Sequence, residues 1–151
     1  RIFATLFWNS KKMIDTLPKD KKIVLFDGVC NLCNGFVDKI IAKDKNDVFR
    51  FASLQSEIGI AIQEHLQLDT SQLDSVILYE PGKEAYYHKS SAAFRILNEF
   101  GGAWKLLQVF RILPKFINDA GYNLVAKYRY KWFGQKDACR MPTAEELVKF
   151  L

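Results

Sequence analysis

Cys30 and Cys33 stand three residues apart, and Asp27 precedes the first of them by three. Two thiols at that spacing can pass two electrons by opening and closing a disulfide. The thiolate is the reacting form, so this chemistry needs something that lowers a thiol's pKa. Cys30 would attack a substrate disulfide and form a mixed disulfide. Cys33 would resolve it, leaving Cys30–Cys33 oxidised. Asp27 reads in two ways: as a base that takes the resolving thiol's proton, or as a cap that accepts N–H bonds at a helix start. Both readings put it at the site.

Cys139 is the odd cysteine. It reads as a second resolving thiol, a metal ligand or a small buried apolar side chain. Its polar surroundings, Asp137 and Arg140, favour a place near the dithiol. Arg140 would either lend positive charge to a thiolate or form a surface ion pair. The chemical competitor is zinc, with Cys30, Cys33, Cys139 and His88 as a Cys₃His set. Only one C-x-x-C exists and the other ligands do not come as a close pair, so no metal and no cofactor is expected. Asn34 follows Cys33 where a c-type haem motif needs histidine. No glycine pattern for phosphates or dinucleotides is present.

The elements that must hold these residues can be read outward from them. Residues 23–26, Ile-Val-Leu-Phe, form a β-branched apolar run that reads as a buried strand. Asp27-Gly28 is turn chemistry. Phe36, Val37, Ile40 and Ile41 then recur at helical spacing. The C-x-x-C thus opens a helix, where unpaired N–H groups and the positive end of the dipole favour a thiolate. Cys30 is expected to be the more exposed of the two sulfurs.

The alternating, aromatic run 48–54 predicts a second strand, parallel to the first. Ser56 caps a helix to about residue 66, with Ile58, Ala61 and Ile62 inward. Residues 73–80 predict a third strand, 81–84 a tight turn and 85–88 a fourth strand. Ser90 is expected to cap a helix that Gly101-Gly102 ends. Residues 104–113 predict a short helix with Leu106, Val109, Phe110 and Leu113 on one stripe, stopped by Pro114. A longer helix follows, with Ile117, Ala120, Gly121, Leu124 and Tyr128 facing one way. Thr143-Ala144-Glu145-Glu146 is a capping box that predicts a last helix to residue 151. The order β-α-β-α-β-β-α, with C-x-x-C after the first strand, is a thioredoxin-like α/β core with an appended C-terminal helical layer. Residues 1–20 read as an N-terminal extension and 21–151 as one domain. Met13 is a candidate natural start; the alternative is an N-terminal helix packing Ile2, Phe3 and Leu6 on the core.

The chain has 151 residues, 49% of them hydrophobic and 14% aromatic, enough for a packed core. Three cysteines make no disulfide framework, and no run nears the length of a membrane span. A reducing cytoplasm is the expected compartment. Between residues 111 and 136, Lys or Arg at 111, 115, 127, 129, 131 and 136 face Asp119 alone, which accounts for the whole net charge of +5. Such a basic, aromatic segment reads as a solvated helix face, with weak membrane-surface contact through 115–136 as the alternative. Trp104, Tyr128, Tyr130 and Trp132 read as packing residues, and no nucleic acid is expected.

These residues resemble the DCC family of thiol–disulfide oxidoreductases, named for an Asp-x-x-Cys-x-x-Cys motif matched by Asp27, Cys30 and Cys33. The likeness runs through 27–35, 49–55, 90–93, 128–134 and 138–142, and covers about residues 22–151. It implies a thioredoxin-like fold and exchange of a Cys30–Cys33 dithiol with a disulfide- or thiol-containing protein or small molecule. The other reading of the same cysteines is a non-catalytic zinc- or partner-binding module. One departure stands out. Thioredoxins hold a substrate backbone against a cis-proline just before the third core strand. Here Leu73-Asp74-Ser75 occupies that place. Substrate docking should therefore differ, or be weaker.

Overall fold

The computed structural model describes residues 2–68, 76–134 and 143–151. In chain order the elements are α1 (Ile2–Asp15), β1 (Lys22–Phe26), α2 (Asn31–Lys43), β2 (Phe49–Ser53), α3 (Glu57–His65), β3 (Ile77–Glu80), β4 (Ala85–His88) and α4 (Lys89–Phe100). A 3₁₀ helix (Gly102–Ile112), α5 (Lys115–Phe133) and a 3₁₀ turn (Leu147–Lys149) follow. The strands form one sheet in the order β2-β1-β3-β4. β1 runs parallel to β2, while β1–β3 and β3–β4 are antiparallel. This is the expected thioredoxin-like α/β core with C-terminal helical segments added. Residues 73–75 of the expected third strand, Leu73-Asp74-Ser75 among them, lie outside the described residues.

Strand alternation explains the layers. Ile23 and Leu25 point to one face of β1, where Ala61 and Ile62 of α3 and Ile14 of α1 meet them. Val24 and Phe26 point to the other, against Val37 and Ile40 of α2 and Ala92 and Ile96 of α4. A central strand covered on both faces must be apolar throughout, which is why 23–26 reads as a continuous run. Each fully buried side chain of this size adds about 1.5–3 kcal/mol. The close fit of α3 on β2 depends on Gly59: a Cβ there would sit 2.0 Å from the Ser53 carbonyl oxygen. Ser56 caps α3 as expected, its Oγ accepting the Gly59 N–H at 3.1 Å. At the chain's start, Ile14 and Leu17 are buried and Ile2 is exposed. The side chains of Phe3 and Leu6 lie outside the described residues.

Four expectations need correction. His88, not Ser90, occupies the N-cap position of α4. Ser90 is buried inside the first turn and donates to Asp119 Oδ1 of α5 at 2.5 Å, so its hydroxyl joins two helices instead of capping one. Residues 102–112 wind as a 3₁₀ helix, and Leu106, Val109, Phe110 and Leu113 are exposed. Three residues per turn make a stripe spaced for 3.6 spiral around the axis, so it cannot lie on one face. The inward side of α5 carries Tyr122, Ala126 and Arg129, whereas Ile117 and Leu124 face outward. The polar partners beneath the helix, described below, set that rotation. Finally, the 143–146 box forms in part, with the Thr143 N–H donating to Glu146 Oε2 at 3.1 Å, but no α-helix follows. A run this short is a poor helix on its own. Phe150 instead bridges to Phe51 alongside β2, and its ring packs on Phe51 and Phe26.

Candidate active site

The turn after β1 brings the dithiol to the carboxyl end of the central strand. Asp27 and Gly28 leave the sheet, and Cys30 takes extended backbone at the N-cap of α2. Asn34, one turn into the helix and buried, donates from Nδ2 to the Gly28 carbonyl at 3.0 Å and holds the loop down. Cys30 and Cys33 are both free thiols. Cys30 Sγ accepts the Cys33 backbone N–H at 3.4 Å, taking the place a serine or aspartate oxygen fills in ordinary caps. Burial pushes the Cys33 thiol from its ordinary 9.0 up to about 12, and Cys30 adds to the rise, while Arg129 pulls it down. Cys33 therefore holds its proton at neutral pH.

Asp27 does not cap α2. Its Oδ1 accepts the Val29 N–H at 3.1 Å and the Gln55 Nε2 at 2.9 Å. Its Oδ2 accepts Arg129 at 3.1 Å and the Tyr130 hydroxyl. Asp27 and Arg129 are both buried, at 5% and 4% exposure, so this is an internal ion pair. Gln55 Oε1 in turn accepts the Gly28 N–H at 3.2 Å, closing a ring of polar contacts behind the cysteines. A buried charge with every partner in place fixes geometry; with one missing it is costly.

α5 is the roof of the site. Besides Arg129 and Tyr130, its Tyr122 hydroxyl accepts the Val76 N–H at 3.0 Å, just before β3. At its end, Asn31 Nδ2 donates to the Phe133 carbonyl at 2.8 Å and Asn31 N–H to that of Gly134 at 3.4 Å. Free N–H groups of one helix start thus meet free carbonyls of another's end. Gly134 has φ +83°, and a Cβ there would lie 2.9 Å from Asn31 Nδ2, so glycine fits both demands. The roof overturns one expectation: Cys30 is 0% exposed and Cys33 7%, so the sulfur expected to be the more exposed is the more deeply covered.

Of the residues singled out from sequence, Cys30, Cys33 and Asp27 come together. Cys139 and Arg140 lie outside the described residues. Arg129, Tyr130, Tyr122 and Gln55 are site residues that pattern reading missed. Arg129 was counted with the solvated basic face; it points inward. Three of the four lie in the family-like blocks 49–55 and 128–134, which was the available signal. Among the described residues no three His, Cys, Asp or Glu converge on a metal position. No described helix is long and apolar enough to cross a membrane.

The proton-holding acids of the roof make stability pH-dependent. Burial raises Tyr122 and Tyr130 from 10.0 to about 12, Tyr130 also through its bond to Asp27, and Cys33 rises as stated. An unfolded chain releases these protons earlier than the folded one. Their stabilisation is complete below about pH 9 and is lost as pH rises toward about 12. The urea midpoint should fall across that window, and Tyr122→Phe should flatten the fall. A wild-type midpoint independent of pH there would contradict the burial argument.

A family profile described as DCC1-like thiol–disulfide oxidoreductase matches residues 24–135. The uncharacterised protein YuxK of Bacillus subtilis is 42% identical over 130 residues, covering 86% of this chain and 93% of that protein. A chloroplastic DCC family protein of Arabidopsis thaliana is 38% identical over 133 residues, covering 87% and 76%. No solved structure matches the chain.

Proposed function

The chain belongs to the DCC1-like thiol–disulfide oxidoreductase family, and on that premise we propose that it is an enzyme exchanging a Cys30–Cys33 dithiol/disulfide with a substrate disulfide or thiol. The observation that carries the reading is the pairing at the start of α2, where Cys30 Sγ at the N-cap accepts the Cys33 N–H at 3.4 Å and Cys33 lies buried one turn on. Burial keeps the proton on Cys33, which suits Cys33 to the later, resolving step. Cys30 is then the attacking sulfur. Its electron pair forms the mixed disulfide, and the substrate's other sulfur leaves and takes a proton. Cys33, which has kept its proton, loses it and attacks Cys30 Sγ. The bond to the substrate breaks and the Cys30–Cys33 disulfide remains, with two electrons transferred.

Asp27 is the proton acceptor for Cys33 in this scheme. It is the carboxylate that acts on Cys33 electrostatically, and Arg129 and Tyr130 orient it. Arg129 also opposes the high pKa of Cys33 at the moment that thiol must ionise. We place the activity in the cytoplasm, where reduced thiols are the resting form.

The test starts from fully reduced protein and hydroxyethyl disulfide. Wild-type protein should release two thiols per exchange and carry a Cys30–Cys33 disulfide on peptide mapping. Cys33→Ser should release one and stop as a mixed disulfide on Cys30. A Cys33→Ser protein that captures nothing, or captures at another cysteine, removes these assignments.

A further inference from the structure

A pocket of about 190 Å³ opens against Cys33 beneath α5. Its walls are Leu32 and Phe36 of α2, Val76, Ala93 of α4, and Val125 and Ala126 of α5, with Cys33 itself on the wall, and Tyr122 and Arg129 complete the lining. The surface it exposes is mostly apolar, and it meets the dithiol on the Cys33 side. An apolar cavity of about 150 Å³ is enough to take up benzene. This one has room for an aromatic ring and a short arm ending in sulfur.

The same region is poorly suited to a polypeptide. The Val76 N–H, which precedes β3 on the dithiol side, is already taken by Tyr122. A substrate backbone cannot pair there while α5 is seated. The C-terminal part of α5 is held down beside the dithiol, by Asn31 on the Phe133 and Gly134 carbonyls and by Asp27 on Arg129. Cys30 is fully covered and Cys33 nearly so, and the pocket against Cys33 is the opening beside the dithiol, too narrow for an extended chain.

We propose that the pocket beside Cys33 is the substrate-selecting site, and that the substrate is a low-molecular-weight disulfide carrying an apolar, ring-sized substituent. The proposal rests on the dithiol chemistry above and names the substrate class for it. The substituent sits among Leu32, Phe36 and Ala126, which holds its sulfur at the dithiol on the Cys33 side. Cys30 displaces the distal sulfur as a thiolate, which picks up a proton. Cys33 then closes on Cys30 and expels the apolar thiol. The reduced protein supplies both electrons, so one turnover needs no further reductant.

The experiment compares two disulfides in single turnover of the reduced protein: hydroxyethyl disulfide, and its analogue with one hydroxyethyl arm replaced by phenylethyl. Each rate is divided by that disulfide's rate with dithiothreitol, which removes intrinsic reactivity. The wild-type ratio should favour the phenylethyl compound by about tenfold or more, the discrimination a fitted apolar pocket supplies. Ala126→Phe, which fills the pocket, should bring the ratio close to one; Ala93→Leu serves if that variant does not fold. The same ratio in wild-type and pocket-filled protein overturns the proposal. So does reduction of insulin disulfides as fast as the phenylethyl compound. If neither small disulfide reacts at all, the dithiol reading itself falls and takes this one with it; two equal rates spare the dithiol and remove only the pocket.

Discussion

Arg129→Met should cost about 3–5 kcal/mol of folding stability, the loss expected when one partner of a buried ion pair is removed. The reasoning starts from burial. Asp27 and Arg129 are nearly inaccessible, and their 3.1 Å contact joins α5 to the loop after β1. Methionine can fill much of the volume of the arginine stem, so the change isolates the charge. Asp27 would keep Gln55, Val29 and Tyr130 as donors but lose its only counter-ion among the described residues. Urea denaturation measures the effect directly. Asp27→Asn combined with Arg129→Met should be less damaging than the sum of the two single changes, because the double variant leaves no orphaned charge. A single variant within about 1 kcal/mol of wild type would mean that the pair is not the clamp it looks to be.

That clamp also shows what a sequence can and cannot disclose. The strand at 22–26, the turn at Asp27-Gly28 and the helix carrying Cys33, Val37 and Ile40 were legible, because local patterning and the buried faces agree there. The hairpin was legible for the same reason, with its turn at Pro81-Gly82-Lys83-Glu84. α5 was legible as a helix but not in its rotation. Its apolar residues outline an outer face, since Ile117 and Leu124 are exposed, and no hydrophobic period announces an arginine that points inward. The partner that turns Arg129 inward lies 102 residues away, beyond the reach of any local rule. The expected exposure of Cys30 failed through the same helix. Position at a helix start predicts an open sulfur only when nothing is laid across it, and α5 is. At the C-terminus the capping box was readable, yet the bridge from Phe150 to Phe51 decided the outcome, again a contact between distant residues.

Cys30→Ser should abolish disulfide exchange, by about a thousandfold or more, the scale seen when a nucleophile is removed. It should do so with little loss of stability. Serine is a favoured N-cap residue, and its Oγ can accept the Cys33 N–H that Cys30 Sγ now accepts. The stability change should lie within about 1 kcal/mol. The hydroxyl does not replace the thiolate as nucleophile, because an uncharged alcohol attacks a disulfide poorly and would leave a sulfur–oxygen bond where a disulfide is needed. The variant also tests the charge relation between the sulfurs. Two of the causes that hold the Cys33 thiol at about 12 are the hydrogen bond to Cys30 and the charge on it. With serine at position 30 the charge disappears, and the Cys33 thiol should fall part of the way back, burial and the Asp27 charge keeping it above its ordinary value. Alkylation of Cys33 followed against pH, with the modified peptide mapped, reads that shift. A folded variant that still exchanges disulfides would take the attacking role away from Cys30. A Cys33 profile unmoved from that of wild type would show that the two sulfurs do not share a proton, and the order of attack and resolution would have to be reversed.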